Sequence, residues 1–253
     1  GGKVEKSGDT VEVLPDWLKD WVYVEKLCEF ANTRLNYSIK REAFNAKYNR
    51  KDDVKQAEML ASEFALTVCD LVTVVDKMYW PSAAITFEHD NKLMLNSYVD
   101  SGYKPVPITE KNKHAIELFL AHIKNTLSDE KEQTILLDWL AYVVQNAGKR
   151  INWAILLQGA QGTGKSYFAK VLEWVLGSNA KSLDPSALGE RFTGWAHGAV
   201  VNIVEEIRIK GDDKWRIMDR LKPFITNSMV QIEEKGRDHR TVPNFTNYLL
   251  LTN

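Results

Sequence analysis

The segment Gly159–Ser166 constrains the fold of this chain more than any other. Its sequence, GAQGTGKS, fits the spacing G-x-x-x-x-G-K-[ST], in which glycines let the backbone curl so that successive N–H groups face a phosphate. The apolar run Asn152–Leu157 before it has strand length, whereas Tyr167–Leu176 after it has helical periodicity and stops at Gly177. A strand, this loop and a helix in that order predict a phosphate-binding loop in an α/β fold.

The loop predicts a site for ATP and Mg²⁺. We expect the ammonium group of Lys165 to reach the β- and γ-phosphates and the hydroxyl of Ser166 to be a ligand of Mg²⁺. The helix N-terminus adds a partial positive charge. The predicted ATP-binding residues are Gly159, Ala160, Gln161, Gly162, Thr163, Gly164, Lys165, Ser166 and Tyr167. The alternative is a glycine-rich turn that binds nothing.

Two adjacent acids follow the apolar strand pattern Ala199–Val204. The interval after Lys165 accommodates a helix, a loop and a returning parallel strand. We expect Glu205 to hold the Mg²⁺ shell through water and Glu206 to polarise the attacking water. The alternative is a strand that merely exits into solvent through two glutamates.

An apolar strand, Tyr248–Thr252, is followed by Asn253. A polar amide at this place is able to act as a nucleotide sensor between the carboxylates and the γ-phosphate, although an isolated Asn after a strand is usually a turn residue. Its position after the two preceding motifs favours the sensor. The predicted catalytic residues are therefore Glu206, Lys165 and Asn253.

Between the acids and this strand, residues 229–233 and 240–243 are predicted to form a β-hairpin around Gly236. Basic side chains at its tip are predicted to track a DNA backbone by charge, without reading bases. These DNA-binding residues are Lys235, Arg237, His239 and Arg240. The alternative is a solvated hairpin, because Glu233, Glu234 and Asp238 offset the positive charge.

Composition excludes several classes of protein. The formal net charge of −1 excludes a uniformly basic nucleic-acid coat but permits a local basic patch. No apolar run approaches the ~18 residues that span a bilayer. Cys28 and Cys69 are too few for a disulfide framework, and we expect both to be buried, reduced thiols of a cytosolic protein.

Four segments are predicted along the chain. Residues 1–12 are an expression-tag remnant or a frayed tail, and residues 13–108 form a small α+β accessory module. Residues 109–150 form a helical hairpin whose helices start near Thr109 and Ser128. Residues 151–253 form the phosphate-binding core.

Within the accessory module, short strands are predicted at Trp21–Val24 and Leu27–Phe30. Ser38 is predicted to cap a short helix, and Val54–Val68 to form a longer one.

The order of motifs resembles that of superfamily 3 helicases. That family carries a phosphate loop, an acidic strand, a hairpin-bearing motif and a sensor strand ending in Asn. Here they correspond to Gly159–Ser166, Val200–Glu206, about Lys222–Pro243 and Tyr248–Asn253. The fold class implied is α/β, a P-loop NTPase core of AAA+-like type, with the helical hairpin and the α+β module before it.

The sequence of these motifs most resembles the C-terminal helicase-like part of phage and plasmid primase-polymerases, the D5-like group. The residues that carry this resemblance are Leu137–Ala141, Leu221–Thr226 with Lys235-Gly236, and Ser38–Asn45. The resemblance implies ATP hydrolysis, movement on single-stranded DNA, hexameric rings and an N-terminal primase-polymerase part of the same polypeptide. It also implies a phage protein of the host cytoplasm with no membrane partner.

The family continues past the sensor Asn with an arginine finger and a closing helical element. The resemblance therefore implies a core truncated at its C-terminus, mostly monomeric and weakly active. Arg208, Arg216 and Arg220 are in range of a subunit interface, but nothing in the sequence assigns the finger to them. Two other functions stay open: a P-loop nucleoside or small-molecule kinase, and a scaffold that binds ATP without turnover.

Overall fold

The residues that the computed structural model describes are 14–81, 83–205, 213–236 and 239–253, with only the helical backbone given for 213–216. The chain divides into two units. The first runs to Met78 and includes Ala83–Asn96, and the second contains Tyr79–Ser82 and Ser97–Asn253. Within the described ranges, no helix is both long enough and apolar enough to cross a membrane.

The described part of the first unit is built from two small sheets and three short helices. In chain order its elements are β1 (Trp21–Val24), β2 (Glu29–Asn32), β3 (Tyr37–Lys40), α1 (Arg41–Tyr48), α2 (Asp52–Gln56), α3 (Ala61–Glu63), β4 (Thr73–Val74), β5 (Asp76–Met78), β6 (Thr86–His89) and β7 (Lys92–Asn96). The sheets have the strand orders β3-β2-β1-β4 and β5-β7-β6. Phe30 of β2 and Phe44 of α1 stack with ring centroids 3.7 Å apart, so α1 packs on the first sheet.

The helix predicted over residues 54–68 is interrupted. Glu58 has a φ of +54°, and α3 begins only after it and continues as a π-helical turn. The side-chain oxygens of Asn49 and Asn45 accept hydrogen bonds of 2.8 Å from the first two N–H groups of α3. Two asparagines distant in sequence thus cap a new helix where apolar spacing predicts a continuous one.

Other local predictions in this unit have mixed outcomes. The strand Trp21–Val24 is confirmed, whereas the next strand starts at Glu29. Ser38 lies in β3 rather than at a helix N-cap, because its strand pairs with β2. Cys28 is exposed and Cys69 is only partly buried, so their predicted burial is wrong.

The second unit holds an αα-hairpin, a parallel sheet and a β-hairpin. In chain order its described elements are α4 (Glu110–Thr126), α5 (Glu130–Gln145), β8 (Ile155–Gln158), α6 (Ser166–Leu176), β9 (Ala180–Leu183), β10 (Val201–Val204), α7 (Asp213–Thr226), β11 (Met229–Ile232), β12 (Arg240–Pro243) and β13 (Asn247–Thr252). Thr109 caps α4 as predicted. Asp129, rather than Ser128, caps α5, since its carboxylate accepts from two amides of the first turn. Sequence patterns predicted neither β9 nor α7.

The sheet of this unit has the order β8-β13-β10-β9, and every pair in it is parallel. The last strand of the chain therefore lies between β8 and β10. Thr252 pairs with Gln158 of β8, and Leu250 pairs with Val204 of β10. The carboxyl ends of these three strands meet at one edge, which is where ligands bind in open parallel sheets.

The sheet is covered on both faces, because side chains alternate along each strand. Leu249 and Leu251 of β13 pack into a core with α5 and α6. Tyr248 and Leu250 of the same strand pack into a second core with α7 and the β11–β12 hairpin. The molecule is thus a mixed α/β protein in which β13 is buried on both sides.

Candidate functional site

The loop Gly159–Lys165 joins the carboxyl end of β8 to the start of α6. Gly162 and Gly164 have φ angles of +83° and +88°, in the region that favours glycine. The loop borders a cavity of about 310 Å³. The lining residues are Gln161, Gly162, Thr163, Gly164, Lys165, Ser166, Glu205, Leu251, Thr252 and Asn253.

The side chain of Lys165 points into the curl of this loop and is largely buried. Its Nζ donates to the carbonyl oxygens of Gly159 at 2.7 Å and Ala160 at 2.8 Å. It also lies 3.3 Å from Thr163 Oγ1 and 3.3 Å from Asn253 Oδ1. Among the residues described, the ammonium charge is therefore held at the cavity by neutral oxygens rather than by a carboxylate.

Ser166 begins α6, and Glu205 follows the last residue of β10. The hydroxyl of Ser166 donates to Oε2 of Glu205 at 2.9 Å. A hydroxyl oxygen and a carboxylate thus lie side by side at the cavity wall, and oxygen donors of this kind suit Mg²⁺. Among the residues described, no group of three or more His, Cys, Asp or Glu side chains forms a dedicated metal cage.

Asn253 directly follows β13, between the ends of β8 and β10. Its Oδ1 faces Lys165 Nζ, as it must, because an ammonium group only donates. The structure thus brings together the adjacent residues Lys165 and Ser166 with Glu205 and Asn253, which come from three separate places in the sequence.

Several predicted residues lie wholly or partly outside the described ranges. Glu206, Arg208 and Arg237 lie outside, as does the side chain of Arg216. Arg220 is described, and its Nη1 donates to the carbonyl oxygen of Gly189 at 3.1 Å.

The predicted hairpin is present as β11 and β12, and its basic residues differ in their surroundings. The side chain of Arg240 is 29% exposed and pairs with Glu234 at 3.1 Å. His239 is exposed and lies 3.7 Å from Glu233, and Lys235 is exposed at the tip. Within the described part of the hairpin, Lys235 is therefore better placed than Arg240 to meet an external anion.

His197 lies near the cations Arg240 and Lys181, and sequence patterns did not single it out. Its burial, together with the nearby cations Arg240 and Lys181, lowers its pKa to about 4. Its backbone carbonyl accepts from Lys181 Nζ at 2.9 Å. This histidine is therefore neutral in the folded protein at physiological pH.

Sequence reasoning also missed a contact from α4. His122 Nε2 lies 3.0 Å from the carbonyl oxygen of Gly164, and Thr126 Oγ1 lies 3.4 Å from that of Thr163. The only sequence signal is the i, i+4 spacing of these two polar side chains on α4, which places them on one face.

The chain is similar in sequence and in fold to a phage replication protein. Over 249 residues the chain is 21% identical to the DNA primase-polymerase of Nitratiruptor phage NrS-1. Two apo structures of the NrS-1 C-terminal region, each 19% identical, superimpose on 92% of this chain with TM-scores of 0.71 and 0.69. The chain has the fold of that region.

The extent of these matches is partial. The chain spans 33% of the NrS-1 primase-polymerase and 54% and 53% of the two structures. Residues 157–253, which hold the loop, Glu205 and Asn253, match a family of unknown function, DUF5906.

Proposed function

We propose that this chain is the ATP-dependent helicase or translocase part of a phage replication primase-polymerase, which hydrolyses ATP to move on single-stranded DNA. The observation that carries the proposal is the meeting of Lys165, Ser166, Glu205 and Asn253 around one cavity at the carboxyl edge of a parallel sheet. Similarity to a phage DNA primase-polymerase supports the replication context.

The loop is a P-loop, and it receives the phosphates of ATP. Its N–H groups and the N-terminus of α6 supply partial positive charge, and Lys165 supplies a full one. The oxygens that now hold Lys165 Nζ are neutral carbonyl, hydroxyl and amide oxygens. An incoming phosphate would therefore displace only neutral oxygens of the described residues when it pairs with this cation.

Mg²⁺ fits the pair formed by Ser166 and Glu205. Both present oxygen, and Mg²⁺ usually completes its shell with waters and substrate phosphates rather than with a cage of protein ligands. When bound, the ion neutralises charge on the phosphates. Ser166 and Glu205 are the residues that would hold it.

Hydrolysis is assigned to residues at the ends of β10 and β13. Glu206 polarises the attacking water as general base, and Asn253 orients that water next to the γ-phosphate. The contact between Asn253 and Lys165 supports the second role, because Lys165 is the residue that we expect to pair with the phosphates.

Single-stranded DNA is the polymer along which ATP hydrolysis drives movement. Lys235 at the tip of the β11–β12 hairpin, with Arg237 and His239, contacts the phosphate backbone by charge. In the complete protein the chain assembles as a hexameric ring beside its N-terminal primase-polymerase part, as the resemblance to superfamily 3 helicases implies.

Phosphate release from Mg·ATP, measured with and without single-stranded DNA, tests the proposal. We expect release that depends on Lys165 and rises when DNA is added to the complete protein. A kinase would instead transfer the phosphate to an added nucleoside or small-molecule acceptor. Absence of both nucleotide binding and phosphate release from the complete protein would refute the proposal.

A further inference from the structure

Helix α4, which lies outside the parallel sheet, contributes a side chain to the loop Gly159–Lys165. His122 Nε2 is 3.0 Å from the carbonyl oxygen of Gly164, although 42 residues separate the two. A carbonyl oxygen only accepts hydrogen bonds, so Nε2 carries the hydrogen and donates it. This fixes the direction of the bond between α4 and the loop.

The Gly164 carbonyl has room for this second donor. In a loop whose N–H groups converge on an anion, carbonyl groups face outward and need partners of their own. The Gly164 oxygen already accepts from the N–H of Tyr167 at 3.0 Å. A carbonyl oxygen has two lone pairs, so the bond from His122 completes its hydrogen bonding.

The imidazole ring of His122 is packed closely on this part of the loop. Its centroid lies 4.8 Å from the ring of Tyr167 and 5.2 Å from that of Phe168. A Cβ added to Gly164 would fall 2.3 Å from His122 Cε1, and the φ of +88° at Gly164 also disfavours a side chain there. The glycine at this position therefore permits both the turn and the approach of the histidine.

Thr126, one helical turn after His122, makes the weaker contact. Its hydroxyl is 2.9 Å from the carbonyl oxygen of His122 in its own helix and 3.4 Å from that of Thr163. A hydroxyl has one proton to donate, and the nearer acceptor is the carbonyl oxygen of His122 rather than that of Thr163. His122 is therefore the principal link between α4 and the loop.

We propose that His122 is a positioning residue, whose Nε2–H holds the Gly164 carbonyl and keeps the loop in the conformation that receives phosphates. The inference rests on the proposed ATP-binding function. A preorganised loop loses less conformational freedom on binding. Loss of this one hydrogen bond should weaken affinity for Mg·ATP by about 2- to 13-fold.

Two substitutions separate the donor from the ring. His122→Gln keeps an amide N–H at about the reach of Nε2 but removes the ring, whereas His122→Phe keeps the ring and removes the donor. His114→Phe is the matched control, because His114 is exposed two turns earlier on α4. Affinity for Mg·ATP is measured by titration, and hydrogen–deuterium exchange of the loop is measured without nucleotide.

We expect His122→Phe to bind Mg·ATP more weakly and to exchange loop amides faster, while His122→Gln and His114→Phe stay close to wild type. If the Phe variant behaves as wild type, or if both His122 variants change alike, the positioning role is wrong. The exchange measurement decides this even when no variant binds Mg·ATP. Failure of the wild-type protein to bind Mg·ATP would overturn the proposed function instead.

Discussion

The hydroxyl of Ser166 lies 2.9 Å from Oε2 of Glu205, although 39 residues separate them in the sequence. Ser166 opens α6 after the loop, and Glu205 directly follows β10, which lies two strands away from β8 in the sheet. Their meeting is a consequence of strand order, because parallel strands deliver their carboxyl ends to one edge. It defines the place where we propose that Mg²⁺ enters with ATP.

Removal of either oxygen donor should weaken the use of Mg²⁺. Ser166→Ala and Glu205→Gln are each expected to raise the Mg²⁺ concentration for half-maximal ATP binding by about tenfold, since each removes a contact to a charged partner. A Mg²⁺ titration at fixed ATP measures this. Glu190→Gln is the control, because Glu190 is an exposed acid outside the cavity lining. An unchanged Mg²⁺ requirement in both variants would contradict the assignment of Mg²⁺ to Ser166 and Glu205.

Glu206→Gln should separate binding from hydrolysis. An amide cannot take a proton from water as a carboxylate does, so we expect turnover to fall by about 10²- to 10⁴-fold while ATP affinity is retained. Phosphate release and nucleotide titration on one protein sample measure the two quantities. Turnover at the parent rate would assign the base to another residue.

We expect two basic residues of the hairpin to differ in role, with Lys235 contributing to DNA binding and Arg240 to stability. Lys235→Ala is expected to lower the log–log salt slope of single-stranded DNA binding by ~0.7 without changing stability. Arg240→Ala should instead lower stability by up to about 1 kcal/mol, because it removes the ion pair with the partly buried Glu234. The reverse pattern, with Arg240→Ala weakening DNA binding at unchanged stability, would assign the DNA contact to Arg240 instead of Lys235.

His197 should make the folded protein sensitive to mild acid. Its pKa falls from 6.5 to about 4 on folding, because of burial and the nearby cations Arg240 and Lys181. Between pH 6.5 and pH 4 the histidine is protonated in the unfolded chain but neutral in the folded chain. The stability that this residue contributes is therefore fully present above pH 6.5 and is lost as the pH falls towards 4.

The expected loss between pH 7 and pH 5 is about 2 kcal/mol of unfolding free energy from this group. Urea unfolding of the wild type and of His197→Gln at the two pH values isolates it, because other titrating groups affect both proteins. We expect a smaller pH dependence in the variant. Equal pH dependence would mean that His197 titrates normally in the folded protein.

Local spacing was sufficient to predict the loop and most elements around it. The motif Gly159–Ser166 specifies its own backbone, and apolar runs of strand length identified β8, β10 and β13. The positions of Glu205 and Asn253 followed because each comes directly after such a run. Parallel strands then had to bring them to the loop.

Contacts between distant segments explain what spacing did not predict. The caps from Asn45 and Asn49 that interrupt the helix over 54–68 depend on the placement of α1. The contact of His122 with Gly164 depends on how α4 packs within the second unit. Asp129 replaces Ser128 as a cap because either side chain is suited to the role, and only the backbone geometry selects one.

Calorimetric titration of Mg·ATP into the wild type, Lys165→Ala and Lys170→Ala tests the central claim most directly. Lys170 is an exposed lysine on the same helix as Ser166 and serves as the matched control. A charge-assisted contact to phosphate predicts an affinity about 10- to 150-fold weaker in Lys165→Ala, with Lys170→Ala close to wild type. Equal affinities in all three proteins, or no binding by the wild type, would contradict the assignment of this loop to ATP.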